Sequence, residues 1–350
     1  MSETAERTPA SGSPADPAIA PGQPGTRGGS VGRIGIKLVQ QREATVLVVA
    51  VALVIYFSSV SSSFFTKDDL VNLSQIIAPL AIIACGEVFL LICGEIDLSV
   101  GFVYGFAPFL MHYLIDFYGV PAIPAMILCL VFGLAFGYIN AFITIALGVP
   151  SFIATLGTGL ILLGLTLTTS NAYPALIPDS AAGPGHWIGT YAWAMITWAI
   201  VLVIFFQILL SRTKWGLHTV AVGGNILGAS EAGIHVKRIK YGNFMITGTL
   251  GAFVGLQVAF QTNSIDPSSG GYQPMFYAIA AAVIGGTVLS GGSGTIVGAF
   301  LGAVVLGILQ GGFTLIGISA NPLSIIFGGA ILVAMIANVQ FTRLRNAGRT

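Results

Sequence analysis

Charge is what this sequence has least of. Only 8% of its 350 residues are Asp, Glu, Lys or Arg, while 55% are hydrophobic and the mean hydropathy is +0.90. Soluble domains carry about a quarter charged residues, so a water-soluble globule is excluded. Cysteine is scarce as well: Cys85, Cys93 and Cys129 all lie inside apolar runs. That placement excludes a disulfide framework and fits no zinc spacing, so the three read as small buried hydrophobes. The net charge of +1 gives no pull toward nucleic acid or an acidic partner. The five lysines (Lys37, Lys67, Lys214, Lys237, Lys240) each follow a residue other than glycine, so there is no G-K-[ST] phosphate loop and no ATP binding of the Walker kind. The four histidines (His112, His186, His218, His235) form no H-E-x-x-H, which disfavours an intramembrane metalloprotease. The expectation is a chain that is not an enzyme, with no catalytic residue, no cofactor and no metal site.

What is abundant is apolar sequence, and many of the chain's 46 glycines are set inside it. Small residues within apolar segments allow close backbone approach between membrane helices. Residues 1–44 differ: they are polar and rich in Pro, Gly, Ser and Ala, a composition that cannot bury a core and predicts a disordered tail. This stretch is too long and polar for the n-region of a cleaved signal peptide, so the first apolar run reads as a retained anchor. Apolar runs then follow at about 45–63, 71–93, 98–116, 121–147, 150–170, 191–210, 243–262, 275–290, 294–317 and 322–341. Most approach the ~20 residues that cross a bilayer as helix; 275–290 is short, and 121–147 is long enough to tilt or break. The expected fold is all-α and integral to the membrane, with about ten transmembrane helices over 45–341 and a short tail at 342–350.

Of the 14 basic residues, 13 fall in three places. These are the N-terminal tail (Arg7, Arg27, Arg33, Lys37, Arg42), the loop after the sixth run (Arg212, Lys214, Lys237, Arg238, Lys240) and the C-terminal tail (Arg343, Arg345, Arg349). An even number of runs separates each pair of places, so the positive-inside rule puts all three, and both termini, in the cytoplasm. The opposite loops carry Asp68, Asp69, Asp116, Asp179 and Asp266.

Within this frame a few residues stand out. Glu87 lies inside an apolar run; a central carboxylate costs about 3 kcal/mol on insertion scales, and each Leu, Ile, Val or Phe returns roughly 0.3–0.6. The surrounding aliphatic and aromatic residues outweigh it, so the segment inserts with Glu87 facing the bundle interior. Two readings of Glu87 stand, a pathway-lining group and a protonated or paired packing residue. Gly94-Glu95-Ile96-Asp97-Leu98-Ser99-Val100-Gly101 predicts a broken helix or tight turn in which Asp97 caps the following helix or contacts solute. It shares a G-x-x-x-L-S-x-G pattern with Gly285 to Gly292, a hint of the duplication common in transporters. The 211–242 loop is the longest basic one. In it, Asn225 to Glu231 predicts a short amphipathic helix closed by Gly233, which either docks on a partner or rests on the membrane surface. Gly294, Gly298 and Gly302, with Gly307 and Gly311, are spaced for tight helix packing.

These residues resemble the permease subunits of bacterial ATP-binding-cassette importers for simple sugars, the ribose/xylose/galactoside branch. The likeness runs in order over about 45–341 and rests on five stretches: Gly94 to Gly101, Val149 to Gly157, Ala221 to Asn225 with Ala232 to Ile234, Ala278 to Gly286, and Leu289 to Thr295. Two departures are Glu95, where the family usually has glycine, and Gly271-Tyr272-Gln273-Pro274-Met275-Phe276 in place of G-Y-E-L. The resemblance implies a ten-helix fold of the vitamin B12-permease (type II) kind in a bacterial inner membrane. It implies a second permease subunit, most simply another copy of this chain, a cytoplasmic ATPase, and an extracytoplasmic solute-binding protein. It also implies that ATP-driven closure pushes on the 219–234 segment, with Gly224, Asn225, Ala229, Glu231 and Gly233 forming the ATPase-coupling loop, and that the solute is a monosaccharide or similar small polar molecule. The competing expectation is a proton-coupled secondary transporter using Glu87 or Asp97.

Overall fold

The computed structural model describes residues 42–318, 324–329, 332–333 and 336. The first helix, α1 (Arg42–Val60), is followed by α2 (Lys67–Ile92), α3 (Val100–Asp116), α4 (Ala122–Ala141) and α5 (Ser151–Ser170). After a short outer segment with β1 (Ala175–Leu176) and α6 (Asp179–Gly185) come α7 (Ala194–Arg212), α8 (Lys214–Gly224) and α9 (Ile226–Glu231). The chain continues with α10 (Val236–Thr262), β2 (Ser264–Ile265), α11 (Tyr272–Ile284) and α12 (Ile296–Leu315); residues 324–329 are helical. Among the described residues, seven helices are long and apolar enough to cross a membrane, and α3 and α11 are shorter apolar helices. The run expected at 322–341 lies mostly outside the described residues.

Helix ends differ from the sequence expectation in instructive ways. The long 121–147 run ends in a single wide π-type turn, Phe142–Ala146, the break its length suggested. The 275–290 run stops being helical at Ile284, because Gly286 at φ +92° terminates the helix. The run at 243–262 is instead a 27-residue helix starting at Val236, so Lys237, Arg238 and Lys240 sit on its first turns rather than in a loop. Two helices, α6 and α8, were not anticipated.

Helices α2 and α10 are mostly buried, whereas α1, α5 and α7 present long apolar faces outward, a composition suited to a membrane. Glycine sets the approach of α10 to α4. A Cβ at Gly248 would fall 2.2 Å from the Gly133 carbonyl oxygen, and one at Gly137 would fall 2.3 Å from that of Phe244. The predicted glycine row divides into parts. Gly298 and Gly302 press on the backbone of Gly285 and Ala281, while Gly307 and Gly311 receive Ile77 and Leu73 of α2. Gly294 is in the loop before α12. A two-residue antiparallel pairing, Ala175↔Ile265 and Leu176↔Ser264, ties the outer segment to the end of α10. The three cysteines are free and buried.

Because the α4–α10 contact is backbone on backbone, Gly248→Val forces the helices apart. Overpacking of this kind costs about 1–3 kcal/mol, and the melting temperature of the detergent-purified chain falls. An unchanged melting curve contradicts this packing.

Candidate functional site

The G-E-I-D-L-S-V-G stretch is a helix break. Gly94, at φ +74°, lets its own N–H reach Leu91 O (3.0 Å) and lets the Glu95 N–H reach Leu90 O (2.9 Å). This is the Schellman pair, which satisfies carbonyls that lipid cannot. The same pair closes α11, with Gly286 N–H on Val283 O (2.9 Å) and Thr287 N–H on Ala282 O (3.0 Å). The two breaks therefore share their helix-ending geometry, with Gly94 equivalent to Gly286 rather than to Gly285 as the sequence pattern aligned them. Gly233 ends α9 in the same way, as the sequence predicted.

The first break is held by polar groups from α4 and α5. Asp97 and Ser99 are fully buried, and Asp97 Oδ1 accepts from Ser99 N (2.8 Å) and Ser99 Oγ (2.6 Å). Asn140 Nδ2 donates to Ser99 Oγ (2.6 Å), and Thr158 Oγ1 donates to Asn140 Oδ1 (2.6 Å). From α5, Thr155 Oγ1 accepts from Leu98 N (3.0 Å) and Ser151 Oγ accepts from Ile96 N (3.3 Å). Asp97 thus organises the N–H groups leading into α3, with no solvent contact. Glu87, one and a half turns before the end of α2, is also fully buried. No described donor completes a hydrogen bond to either Glu87 oxygen or to Asp97 Oδ2.

The break is wired to the basic segment between α7 and α10. Lys240 Nζ meets Glu95 Oε1 at 2.5 Å, with the side chains only 14% and 13% exposed. Asn243 Nδ2 donates to Phe89 O (3.2 Å) and Cys93 Sγ (3.3 Å), while its Oδ1 accepts from Trp215 Nε1 (3.0 Å). A Cβ at Gly223 would lie 1.6 Å from Ile92 O, and that same carbonyl accepts from Gly292 N (2.8 Å). The end of α2, the second break and the end of α8 therefore meet at one point.

Of the residues expected in the coupling loop, Gly224, Asn225, Glu231 and Gly233 are exposed, and Asn225 Oδ1 caps α9 by accepting from Gly228 N (2.9 Å). Ala229 is buried and packs with Val222, Cys93 and Ile239, so it anchors the loop inward. The outward face instead carries Leu227, 76% exposed, and Ile226. Asn140, Asn243, Thr155 and Lys240 were not picked out from sequence. A polar side chain inside an apolar run was the available signal for the first two.

At the opposite end of the bundle a cleft of about 510 Å³ opens between α2, α10 and α12, lined by Asp69, Asn72, Gln75, Gln261, Gln310 and Thr314 among others. Gln261 Nε2 donates to Gln75 Oε1 (3.1 Å), and Asp69 Oδ2 accepts from Phe65 N (3.1 Å). Its polar groups are mainly neutral amides and a hydroxyl, chemistry that suits an uncharged, hydroxyl-rich solute. Among the described residues no group of three or more His, Cys, Asp or Glu could hold a metal.

Residues 70–336 match the family described as branched-chain amino acid transport system / permease component. The chain is 35% identical over 314 residues to a xylose/arabinose import permease protein of Sulfolobus acidocaldarius, covering 88% of each chain. It is 32% identical over 309 residues to the ribose import permease protein of Escherichia coli, covering 86% of this chain and 94% of the relative. It is 34% identical over 289 residues to that of Bacillus subtilis, covering 81% and 88%. No solved structure is a significant match.

The Glu95–Lys240 pair is more enclosed than a surface ion pair and less than a core one, so Lys240→Met leaves a largely buried carboxylate unpaired, at a cost of about 1–3 kcal/mol. The charge-swapped double variant, Glu95→Lys with Lys240→Glu, recovers most of the lost melting temperature. A swap no better than the single variants contradicts a direct pairing.

Proposed function

This chain belongs to the permease-component family that matches its residues 70–336, and from that membership we propose that it forms the translocation pathway of an ATP-driven sugar importer. The solute is a monosaccharide or similar small neutral molecule, and alternating access is driven by a separate cytoplasmic ATPase. The pathway is completed by a second permease subunit, a further copy of this chain, and is loaded by an extracytoplasmic solute-binding protein. The membrane domain spans 45–341 with ten crossings, flanked by cytoplasmic tails at 1–44 and 342–350. The observation that carries this reading is the α8–α9 segment, which is apolar and exposed at Ile226 and Leu227 yet joined through Gly223, Lys240 and Asn243 to the break after α2. An exposed apolar face on a small segment suits a docking protein, and its inward wiring suits transmission of a push.

Two observations support a sugar as the solute. The relatives cited above are named for ribose and xylose/arabinose, and the outer cleft offers amides rather than charge. A second reading, proton-coupled transport, draws on Glu87 and Asp97, whose buried carboxyl oxygens lack full partnering.

Reconstitution in vesicles separates the two. With ATPase and binding protein present, uptake proceeds with a collapsed proton gradient and stops without ATP. Uptake by this chain alone, driven by a pH gradient, overturns the importer reading. In the reconstituted importer, Leu227→Glu abolishes co-purification of the ATPase, whereas Gln75→Leu with Gln261→Leu leaves the assembly intact and slows sugar uptake roughly tenfold, the equivalent of about one lost hydrogen bond. Full uptake by the double glutamine variant removes the outer cleft from the pathway.

A further inference from the structure

A second cleft lies on the outer flank of the bundle, at its basic end. It measures about 470 Å³, within the roughly 300–1,000 Å³ of small-ligand sites, and is walled by Leu134 of α4, Phe206 and Leu209 of α7, Met245 and Leu250 of α10, and Trp215. The wall is almost wholly hydrocarbon. The hydroxyl of Thr249, which also lines it, is already donated to Met245 O (2.8 Å). Trp215 is fixed rather than loose. Its Nε1 is bonded to buried Asn243, and its ring lies over Gly242, where a Cβ would come within 2.2 Å of Cζ2.

Two cations lie within three residues, in sequence, of the side chains that wall this cleft. Arg212 follows Leu209 by one turn at the end of α7, and Lys214 immediately precedes Trp215. Both are exposed, and neither meets an acid: the ion pairs among the described residues are His112–Asp116 and Lys240–Glu95. An apolar groove between membrane helices, capped by an interfacial tryptophan and unpaired basic residues, has the composition that holds an acyl chain below and a phosphate above. A second copy seated here through a two-fold contact would set the same cations against each other, so charge favours a lipid.

We propose that this cleft is a binding site for an anionic phospholipid, with an acyl chain against Trp215, Phe206 and Met245 and the headgroup phosphate on Arg212 and Lys214. The site is independent of which solute the chain carries. It places a lipid against the first turn of α8, the element that leads to the junction at Ile92.

Trp215 is its own reporter, since the sequence holds four tryptophans and the other three, Trp187, Trp193 and Trp198, precede or begin α7 at its far end. The full chain carrying Trp187→Phe, Trp193→Phe and Trp198→Phe is placed in phosphatidylcholine nanodiscs doped with acyl-brominated phosphatidylglycerol or acyl-brominated phosphatidylcholine. Phosphatidylglycerol is expected to quench Trp215 at a roughly tenfold lower mole fraction, and Arg212→Gln with Lys214→Gln removes the preference. The unmodified chain, released from mixed-lipid membranes into native mass spectrometry, retains a phosphatidylglycerol adduct that the double variant loses. Equal quenching by the two lipids, no quenching by either because protein covers the cleft, or an adduct that survives the double variant overturns the proposal.

Discussion

The carbonyl of Ile92 is the point on which the basic end of this molecule depends. A helix that ends within a membrane protein must place its last carbonyls on protein donors, because lipid offers none. The Schellman turn at Gly94 takes care of Leu90 and Leu91. Ile92 O remains, and the N–H that reaches it comes from Gly292, 200 residues later in the chain. Gly223 is pressed against the same oxygen so closely that no side chain fits there. One unsatisfied acceptor thus draws together the two helix breaks and the end of α8, and the Glu95–Lys240 pair and the Asn243 bonds fasten the cluster around it.

Much of this was legible from sequence, because the signals were local. Long apolar runs found the spanning helices, and glycines able to take positive φ marked the ends of α2 and α9. Asp97 at the entry to α3 was legible for the same reason. What escaped depends on contacts distant in sequence. Helix α8 contains Gly216, Gly223, Gly224 and several β-branched residues, a poor intrinsic helix. It forms because Thr213 caps it, a local signal, and because Trp215 locks onto Asn243, 28 residues on, a contact that no local pattern shows. In sequence Lys240 is one of several loop cations, and only the start of α10 at Val236 carries it to Glu95. The glutamines of the outer cleft, Gln75, Gln261 and Gln310, come from three runs far apart in sequence, and no local pattern joins them.

The duplication shows how a sequence match can be near the truth and still misaligned. Gly94 to Gly101 and Gly285 to Gly292 align with four of eight residues identical, but the helix-ending glycines are Gly94 and Gly286. The second break is also longer, since α12 starts ten residues past Gly286 whereas α3 starts six past Gly94. The extra residues are what allow Gly292 to reach across to Ile92. Glu95, which departs from the glycine usual among the permeases that the sequence resembles, adds to this junction a charged tie to α10.

The central claim is that displacement of the α8–α9 segment is felt at the end of α2. Cys93 reports on that contact directly, being buried beside Val222 and bonded through its Sγ to Thr219 O (3.7 Å). With Cys85 and Cys129 replaced by alanine, maleimide labelling of Cys93 in the assembled transporter can be timed without nucleotide and with the ATPase trapped in its closed state. The account predicts labelling rates that differ severalfold between the two states, with the difference abolished by Gly223→Val. Equal rates in both states, in a transporter that still hydrolyses ATP and imports its solute, would contradict it.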